Sequence, residues 1–80
     1  MNNAYPVLVA WREEDKGFIA IAPDLPGCSA WGENRLEAIK EVETAMFLWI
    51  DAMTRAGNFI PLPGSNMLET IESFSRERER

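Results

Sequence analysis

The strongest constraint on this sequence is a pair of short apolar runs near its beginning, residues 5–11 (YPVLVAW) and 18–22 (FIAIA). Both runs are rich in β-branched and aromatic side chains, and the polar residues 12–17 between them end in a glycine. This arrangement is typical of two antiparallel strands joined by a hairpin loop. Pro6 has no N–H group to donate to a neighbouring strand, so we expect it at the start of its strand or on an edge.

Both faces of the predicted hairpin are apolar, because successive side chains point to opposite faces of a strand. In the first run Tyr5, Val7, Val9 and Trp11 point one way, and Pro6, Leu8 and Ala10 point the other. In the second run Phe18, Ala20 and Ala22 lie opposite Ile19 and Ile21. A single helix can cover only one of these faces. The second face needs cover from the C-terminal tail or from another chain, and we favour another chain. The pattern therefore predicts a homo-oligomer, with Leu8 and Ala10 as candidate interface residues.

A third strand is expected after a sharply turning loop. Residues 23–27 (PDLPG) place two prolines and a glycine within a short stretch, which favours a rigid turn. Residues 28–31 can then form a short strand that ends at Gly32. Three consecutive strands of this kind predict an antiparallel meander.

One long helix should follow the strands. Asn34 can accept a hydrogen bond from a free amide of the first turn, and Glu37, three residues later, can answer it as in a capping box. Gly57 is a natural residue for the end of the helix. After it, Pro61 and Pro63 exclude helix and predict an extended segment.

The helix has one clearly apolar face, which we expect to cover the sheet. This face comprises Ile39, Val42, Met46, Trp49, Ile50 and Met53, with Leu36, Ala38, Ala45 and Ala56 at its margins. Leu48 falls instead among polar residues on the opposite face, and Phe47 lies at the edge. A single exposed leucine needs no explanation, but two such neighbours are candidates for a contact patch with another protein.

The fold class expected from these elements is α+β: a three-stranded antiparallel meander packed on one long helix, in one domain over residues 1–64. Residues 65–80 form a short C-terminal tail. Four apolar residues of the tail, Met67, Leu68, Ile71 and Phe74, have helical spacing and favour a short amphipathic helix. The alternative is a fourth strand over residues 67–74.

Composition bounds the class of partner and the compartment. Eighty residues, of which 46% are apolar, make one domain with more apolar material than a lone core of this size needs. The net charge of −5 suits a basic partner protein and disfavours phosphate backbones, although mild acidity also keeps small proteins soluble. Cys28 is the single cysteine, and the sequence has neither a signal peptide nor a membrane-spanning stretch, so we expect a cytoplasmic protein.

Residue types suited to catalysis are scarce. The chain has no histidine, and one cysteine without a histidine is not a nucleophile of the usual kind. Carboxylates such as Asp24 and Glu37 fall in a loop or on the polar helix face, whereas a two-metal site needs them to converge from strand interiors. There is no glycine-rich phosphate loop, and the arginines of the tail alternate with glutamates rather than forming a basic face. We expect no enzyme activity, no metal and no cofactor, and we do not expect this chain alone to bind nucleic acid.

The order of several motifs resembles the HicB-like antitoxin family. Residues 22–28 (APDLPGC) are followed by Gly32, by a helix start with Glu37 and Ala38, and by Gly57 with two prolines after it. The loop motif consists of Asp24, Leu25, Pro26, Gly27, Cys28 and Gly32. Together these features cover residues 5–64, and their occurrence in this order is more specific than the loop motif alone.

The resemblance implies a β-β-β-α-β unit like a partial ribonuclease H fold that lacks the nuclease site. It also implies oligomers and a function, the neutralisation of HicA, a small basic toxin that cleaves messenger RNA. Many members of the family carry a C-terminal helix-turn-helix or ribbon-helix-helix domain that binds promoter DNA. Only a short tail follows Pro63 here, so we expect a stand-alone member without that domain. The alternative functions are a structural or regulatory homo-oligomer without a toxin partner and a DNA-binding transcriptional regulator.

The motif loop itself has two interpretations. Its prolines and glycine can serve simply to turn the chain between two strands, with the Asp24 carboxylate bonding local amides. Alternatively, the loop can contact the toxin directly. We favour the first interpretation.

Overall fold

A computed structural model of the chain describes residues 4–66 and 72. It has an α+β architecture in which a three-stranded antiparallel sheet, in the order β1-β2-β3, is followed by one long helix. The predicted fold class and the meander are confirmed. The elements are β1 (Leu8–Arg12), β2 (Gly17–Ile21), β3 (Ser29–Gly32) and α1 (Arg35–Ala56).

The first two strands form the predicted hairpin, with slightly different bounds. β1 starts at Leu8, after Pro6, because proline has no N–H group to donate to β2. At the other end the ladder continues to the pair of Arg12 and Gly17. The Asp15 N–H donates to the Arg12 carbonyl at 3.2 Å and helps to close the turn between the strands.

The register assigns each strand residue to one face of the sheet. Val9 pairs with Ala20, and Ala20 pairs with Ala30, so these three side chains form one row across the sheet. Ala20 is fully buried, and the row packs on α1. Leu8 and Ala10 alternate with Val9 and therefore lie on the other face. The buried core consists of Ala20, Ala22, Leu25, Cys28, Ala38, Val42 and Met46.

α1 begins and ends where the sequence indicates. The Asn34 side chain accepts a hydrogen bond from the Glu37 N–H at 2.8 Å, which is the predicted cap. The Glu37 carboxylate accepts from the N–H of Glu33 rather than from that of Asn34, so the capping box is shifted by one residue. At the C-terminal end, Gly57 has a left-handed conformation (φ 74°), and its N–H donates to the Thr54 carbonyl at 3.1 Å.

The helix lies mainly over β3 and has its fewest contacts with β1. Gly32, the last residue of β3, permits this arrangement. A Cβ atom at Gly32 would overlap the backbone of Ala38 in the first turns of α1. Glycine is therefore required for the strand and the helix to approach so closely.

After Gly57 the chain returns to the start of β1. Residues 58–62 have no regular secondary structure, in agreement with the exclusion of helix by the prolines. The Tyr5 hydroxyl donates to the Pro61 carbonyl at 2.6 Å. This contact joins the segment after the helix to the residues before the first strand.

The predicted structure of the tail, a helix or a fourth strand over residues 67–74, lies outside the described residues except for Glu72. The likeness to part of a ribonuclease H fold also stays a prediction. Within the described part of the chain, no helix combines the length and the hydropathy that a membrane span requires.

Candidate interaction surfaces

The loop between β2 and β3 carries the motif singled out in the sequence, and its backbone closes on itself. The Leu25 N–H donates to the Ala22 carbonyl at 3.0 Å, and the Cys28 N–H donates to the Leu25 carbonyl at 2.9 Å. The Ala22 N–H donates in turn to the Cys28 carbonyl at 3.1 Å. Leu25 and Cys28 are buried, while Pro26 and Gly27 are exposed. The loop is thus a compact turn whose apolar side chains belong to the core.

Asp24 is fully buried, and its carboxylate holds the segment that follows the helix. One carboxylate oxygen, Oδ2, accepts from the Gly64 N–H at 2.6 Å. The other, Oδ1, accepts from the Asn66 N–H at 2.6 Å and from the Ser65 hydroxyl at 3.4 Å. We call these three hydrogen bonds the Asp24 clasp.

The expectation that Asp24 bonds amides of its own loop is wrong. The amides of Leu25 and Cys28 already donate to backbone carbonyls within the loop. The Asp24 carboxylate instead accepts from amides 40 and 42 residues further along the chain. No spacing in the sequence signals this pairing.

A second tie fixes the loop to α1. The indole N–H of Trp49 donates to the Pro26 carbonyl at 3.0 Å, which holds the exposed tip of the loop against the helix.

Burial raises the pKa of the Cys28 thiol above its ordinary value of 9.0 by desolvating the thiolate. The thiol is therefore protonated and weakly nucleophilic at neutral pH. The buried thiol, the hydrogen bonds within the loop and the bond from Trp49 together support a structural role for the loop.

The sheet face turned away from α1, which we call the open face, is largely apolar. Its apolar side chains are those of Leu8, Ala10, Ile19, Ile21 and Trp31, and Ser29 and the charged Arg12 lie at its margins. Trp31 lies against Gly17 and donates its indole N–H to the Asp15 carbonyl at 3.1 Å, yet 42% of its surface stays exposed. A largely apolar surface of this kind is suited to burial against another protein.

The four candidate interface residues do not form one surface. Leu8 and Ala10 lie on the open face, whereas Phe47 and Leu48 lie on α1, on the opposite side of the sheet. Phe47 is 62% exposed and Leu48 is 59% exposed. Sequence reasoning missed Trp31 as a member of the open face. Alternation along the third strand was the signal that could have placed it there.

Phe47 and Leu48 are also directed to different surroundings. Phe47 lies in a shallow depression with Lys40, Glu41, Glu43 and Thr44. Leu48 borders a groove of about 370 Å³ between α1 and the start of β3. The groove is lined by Gly27, Cys28, Ser29, Ala45, Leu48 and Trp49. Two neighbours of equal exposure thus differ in their access to an apolar groove.

The local ion pairs are all exposed. Among the described residues they are Lys16 with Glu13, Arg12 with Glu14 (4.0 Å) and with Asp15 (3.2 Å), and Arg55 with Asp51 (2.9 Å). Hydrogen bonds from Lys16 and Trp11 hold the pKa of Glu13 below its ordinary value. Exposed pairs contribute little to stability.

Across residues 4–66 and 72, no three Cys, Asp or Glu side chains lie close enough together to bind a metal ion.

Comparison with known proteins identifies the family of the chain. A family model described as the HicB_like antitoxin of bacterial toxin-antitoxin system matches residues 5–77. No curated protein and no solved structure matches the chain. The matched segment covers most of the 80 residues and includes the sheet, the motif loop and α1. The chain therefore belongs to the HicB-like antitoxin family of bacterial toxin–antitoxin systems.

Proposed function

We propose that this chain is a non-catalytic antitoxin that binds and neutralises a small basic ribonuclease toxin of the HicA type. The observation that carries the proposal is the family match over residues 5–77. An antitoxin of this kind needs surfaces for binding, and the open face and the groove beside Leu48 are such surfaces. The protein acts in the cytoplasm, where the thiol of Cys28 stays reduced. Residues 1–64 form the binding domain, and residues 65–80 form its tail.

The charge of the chain supports a basic partner. Thirteen acidic and eight basic residues give a net charge of −5, so the field of the chain attracts a positively charged protein and speeds the encounter. A ribonuclease that holds RNA through cationic side chains presents those same cations to the carboxylates of the antitoxin. Binding of the antitoxin then competes with binding of RNA.

Copies of the chain associate through the open face in this proposal. Two chains with a net charge of −5 repel each other wherever charged surfaces meet. The open face carries Leu8, Ile19 and Trp31 at its centre without a charged side chain between them. Burying such a face contributes about 25 cal/mol for each Å² removed from water. Self-association is therefore most favourable on this side of the sheet.

Co-purification with a small basic protein of the HicA type, expressed together with this chain, tests the proposal. Only the antitoxin chain carries an affinity tag. The basic protein should be retained at physiological salt and released increasingly as salt rises, because the Debye length falls from about 8 Å to about 3 Å at 1 M. A tagged, unrelated protein of similar length and negative charge serves as the control and should retain none. If the tagged chain retains no basic protein at physiological salt, the proposal is wrong.

A further inference from the structure

β3 is an edge strand, and the register shows which of its backbone groups point away from β2. The Ala22 N–H donates to the Cys28 carbonyl, so these two residues form a hydrogen-bonded pair. Hydrogen-bonded and non-hydrogen-bonded pairs alternate along an antiparallel ladder, and Ala30 therefore also turns its backbone groups toward β2. The N–H and C=O groups of Ser29 and Trp31 point to the opposite side, along the outer edge of the sheet.

The apolar groove runs beside this outer edge. Ala45 and Leu48 lie on the side of α1 that borders the groove, and Cys28 and Ser29 form its opposite wall. The groove therefore adjoins the first of the outward-pointing backbone groups of β3. A strand placed along this edge would have an apolar pocket next to it.

Carboxylates flank the same edge. Glu37 and Glu41 precede Ala45 by two turns and one turn on the same side of α1, and Glu33 follows β3 directly. The Glu37 carboxylate accepts from the N–H of Glu33, a bond that places it at the end of the outer edge. Lys40 shares a shallow cleft with Glu37 and Glu41. The edge is therefore flanked by three carboxylates and by only one ammonium group, that of Lys40.

We propose that an extended segment of the basic partner adds to β3 as a further strand. The backbone of that segment bonds the outward groups of Ser29 and Trp31. One of its apolar side chains enters the groove at Leu48, and its lysines or arginines face Glu41 and its neighbours. Strand addition of this kind combines backbone hydrogen bonds for affinity with side-chain pockets for specificity. The inference rests on the proposed function, because it assigns the contact with the toxin to one edge of the sheet.

The charges favour a basic partner over a second copy at this edge. A second copy that paired its own β3 here would bring another Glu33, Glu37 and Glu41 to the same seam, and like charges across an interface oppose association. The open face has no such carboxylates, and it lies on the other side of the sheet from Leu48. Copies of the chain and the basic partner can therefore bind at the same time.

Two matched pairs of variants test the assignment, with the small basic HicA-type protein of the co-purification as the probe. Leu48→Lys changes a residue of the groove, and Phe47→Lys changes its equally exposed neighbour outside it. Glu41→Lys and Glu43→Lys change the net charge equally. Both residues line the depression at Phe47, but Glu41 precedes Ala45 of the groove by one helical turn, whereas Glu43 does not. Leu48→Lys and Glu41→Lys should each weaken binding at least about tenfold by calorimetry, and the two controls by less than about threefold.

Amide hydrogen exchange gives a second readout that a folding defect does not imitate. In the wild-type complex the amides of Ser29 and Trp31 should exchange at least about tenfold more slowly than in the free chain. The amides of Val9 and Trp11, which point outward at the other edge of the sheet, serve as internal controls and should keep their rates.

The outcomes separate this inference from the proposed function. Selective weakening by Leu48→Lys and Glu41→Lys, together with slower exchange at Ser29 and Trp31, supports the added strand. If the probe binds the wild-type chain, then equal affinities of the Leu48→Lys and Phe47→Lys variants, or unchanged exchange at Ser29 and Trp31, overturn the added strand and leave the proposed function standing. If the probe does not bind the wild-type chain at all, both are wrong.

Discussion

The Asp24 carboxylate accepts a hydrogen bond from the Gly64 amide at 2.6 Å, across 40 residues of sequence. Asp24 is fully buried and accepts from the Asn66 amide as well, so it fastens the segment after α1 to the loop between β2 and β3. Hydrogen bonds to an ionised acceptor are stronger than those between neutral groups. The acidic residue of the loop motif therefore positions the segment that follows α1.

Removing this acceptor should destabilise the fold. Asp24→Ala removes the acceptor of the Gly64 and Asn66 amides, at a cost of about 0.5–1.5 kcal/mol for each hydrogen bond lost. Asp24→Asn should cost less, because its amide oxygen can still accept one of the bonds. The control is Asp51→Asn, which breaks an exposed ion pair with Arg55 and should change the free energy of unfolding little. Urea unfolding measures all three variants, and equal stability of Asp24→Ala and Asp51→Asn would contradict the clasp.

Gly32→Ala should be more damaging than Gly27→Ala. The methyl group at position 32 overlaps the backbone of Ala38, so β3 and α1 must move apart, and such overpacking costs about 1–3 kcal/mol or more. At Gly27 no atom lies within 4 Å of the added group, and only the positive φ of 80° opposes it. Thermal melting ranks the two variants. A lower melting temperature for Gly27→Ala would argue against the close approach of strand and helix.

The elements and their faces could be predicted because they depend on local signals. Alternation along a strand assigns Val9 and Leu8 to opposite faces, and Asn34 and Gly57 mark the two ends of α1. Each of these signals acts within one helical turn or along one strand. The sequence pattern therefore contains them without reference to distant residues.

The contacts of the candidate surfaces could not be predicted, because they join residues far apart in sequence. The bond between Asp24 and Gly64 depends on the path of the chain after α1. The groove at Leu48 depends on α1 lying over β3 rather than β1. Periodicity identified Leu48 as an apolar exception on a polar face, but the wall opposite it is formed by the loop before β3.

Ile19→Lys should disrupt self-association without unfolding the chain. Ile19 lies at the centre of the open face between Ala10 and Trp31, so the lysine places an unpaired charge in an apolar interface while sparing the contacts with α1. Light scattering at micromolar concentration should give an oligomer for the wild type and the mass of one chain for the variant. Phe47→Lys, which adds the same charge away from the open face, should keep the wild-type mass. A wild-type chain with the mass of a monomer would show that copies do not associate through this face.

The reactivity of Cys28 should depend on folding and on pH. Because burial raises its pKa, the contribution of this thiol to stability is present below the ordinary value of 9.0 and is lost as pH rises through the raised value. Iodoacetamide should label the native chain slowly at neutral pH, faster in alkaline solution, and fastest after unfolding in urea. Labelling of the native chain at neutral pH as fast as that of the unfolded chain would contradict the burial of this side chain.

The most direct test of antitoxin function is a titration of RNA cleavage. The small basic HicA-type protein of the co-purification is incubated with fluorescently labelled RNA and increasing amounts of the folded antitoxin chain. We predict that cleavage falls to background once the antitoxin sites equal the toxin in number, and that the chain alone leaves the RNA intact. Cleavage that continues undiminished in a large molar excess of the folded chain would contradict the assignment of this protein as the toxin's inhibitor.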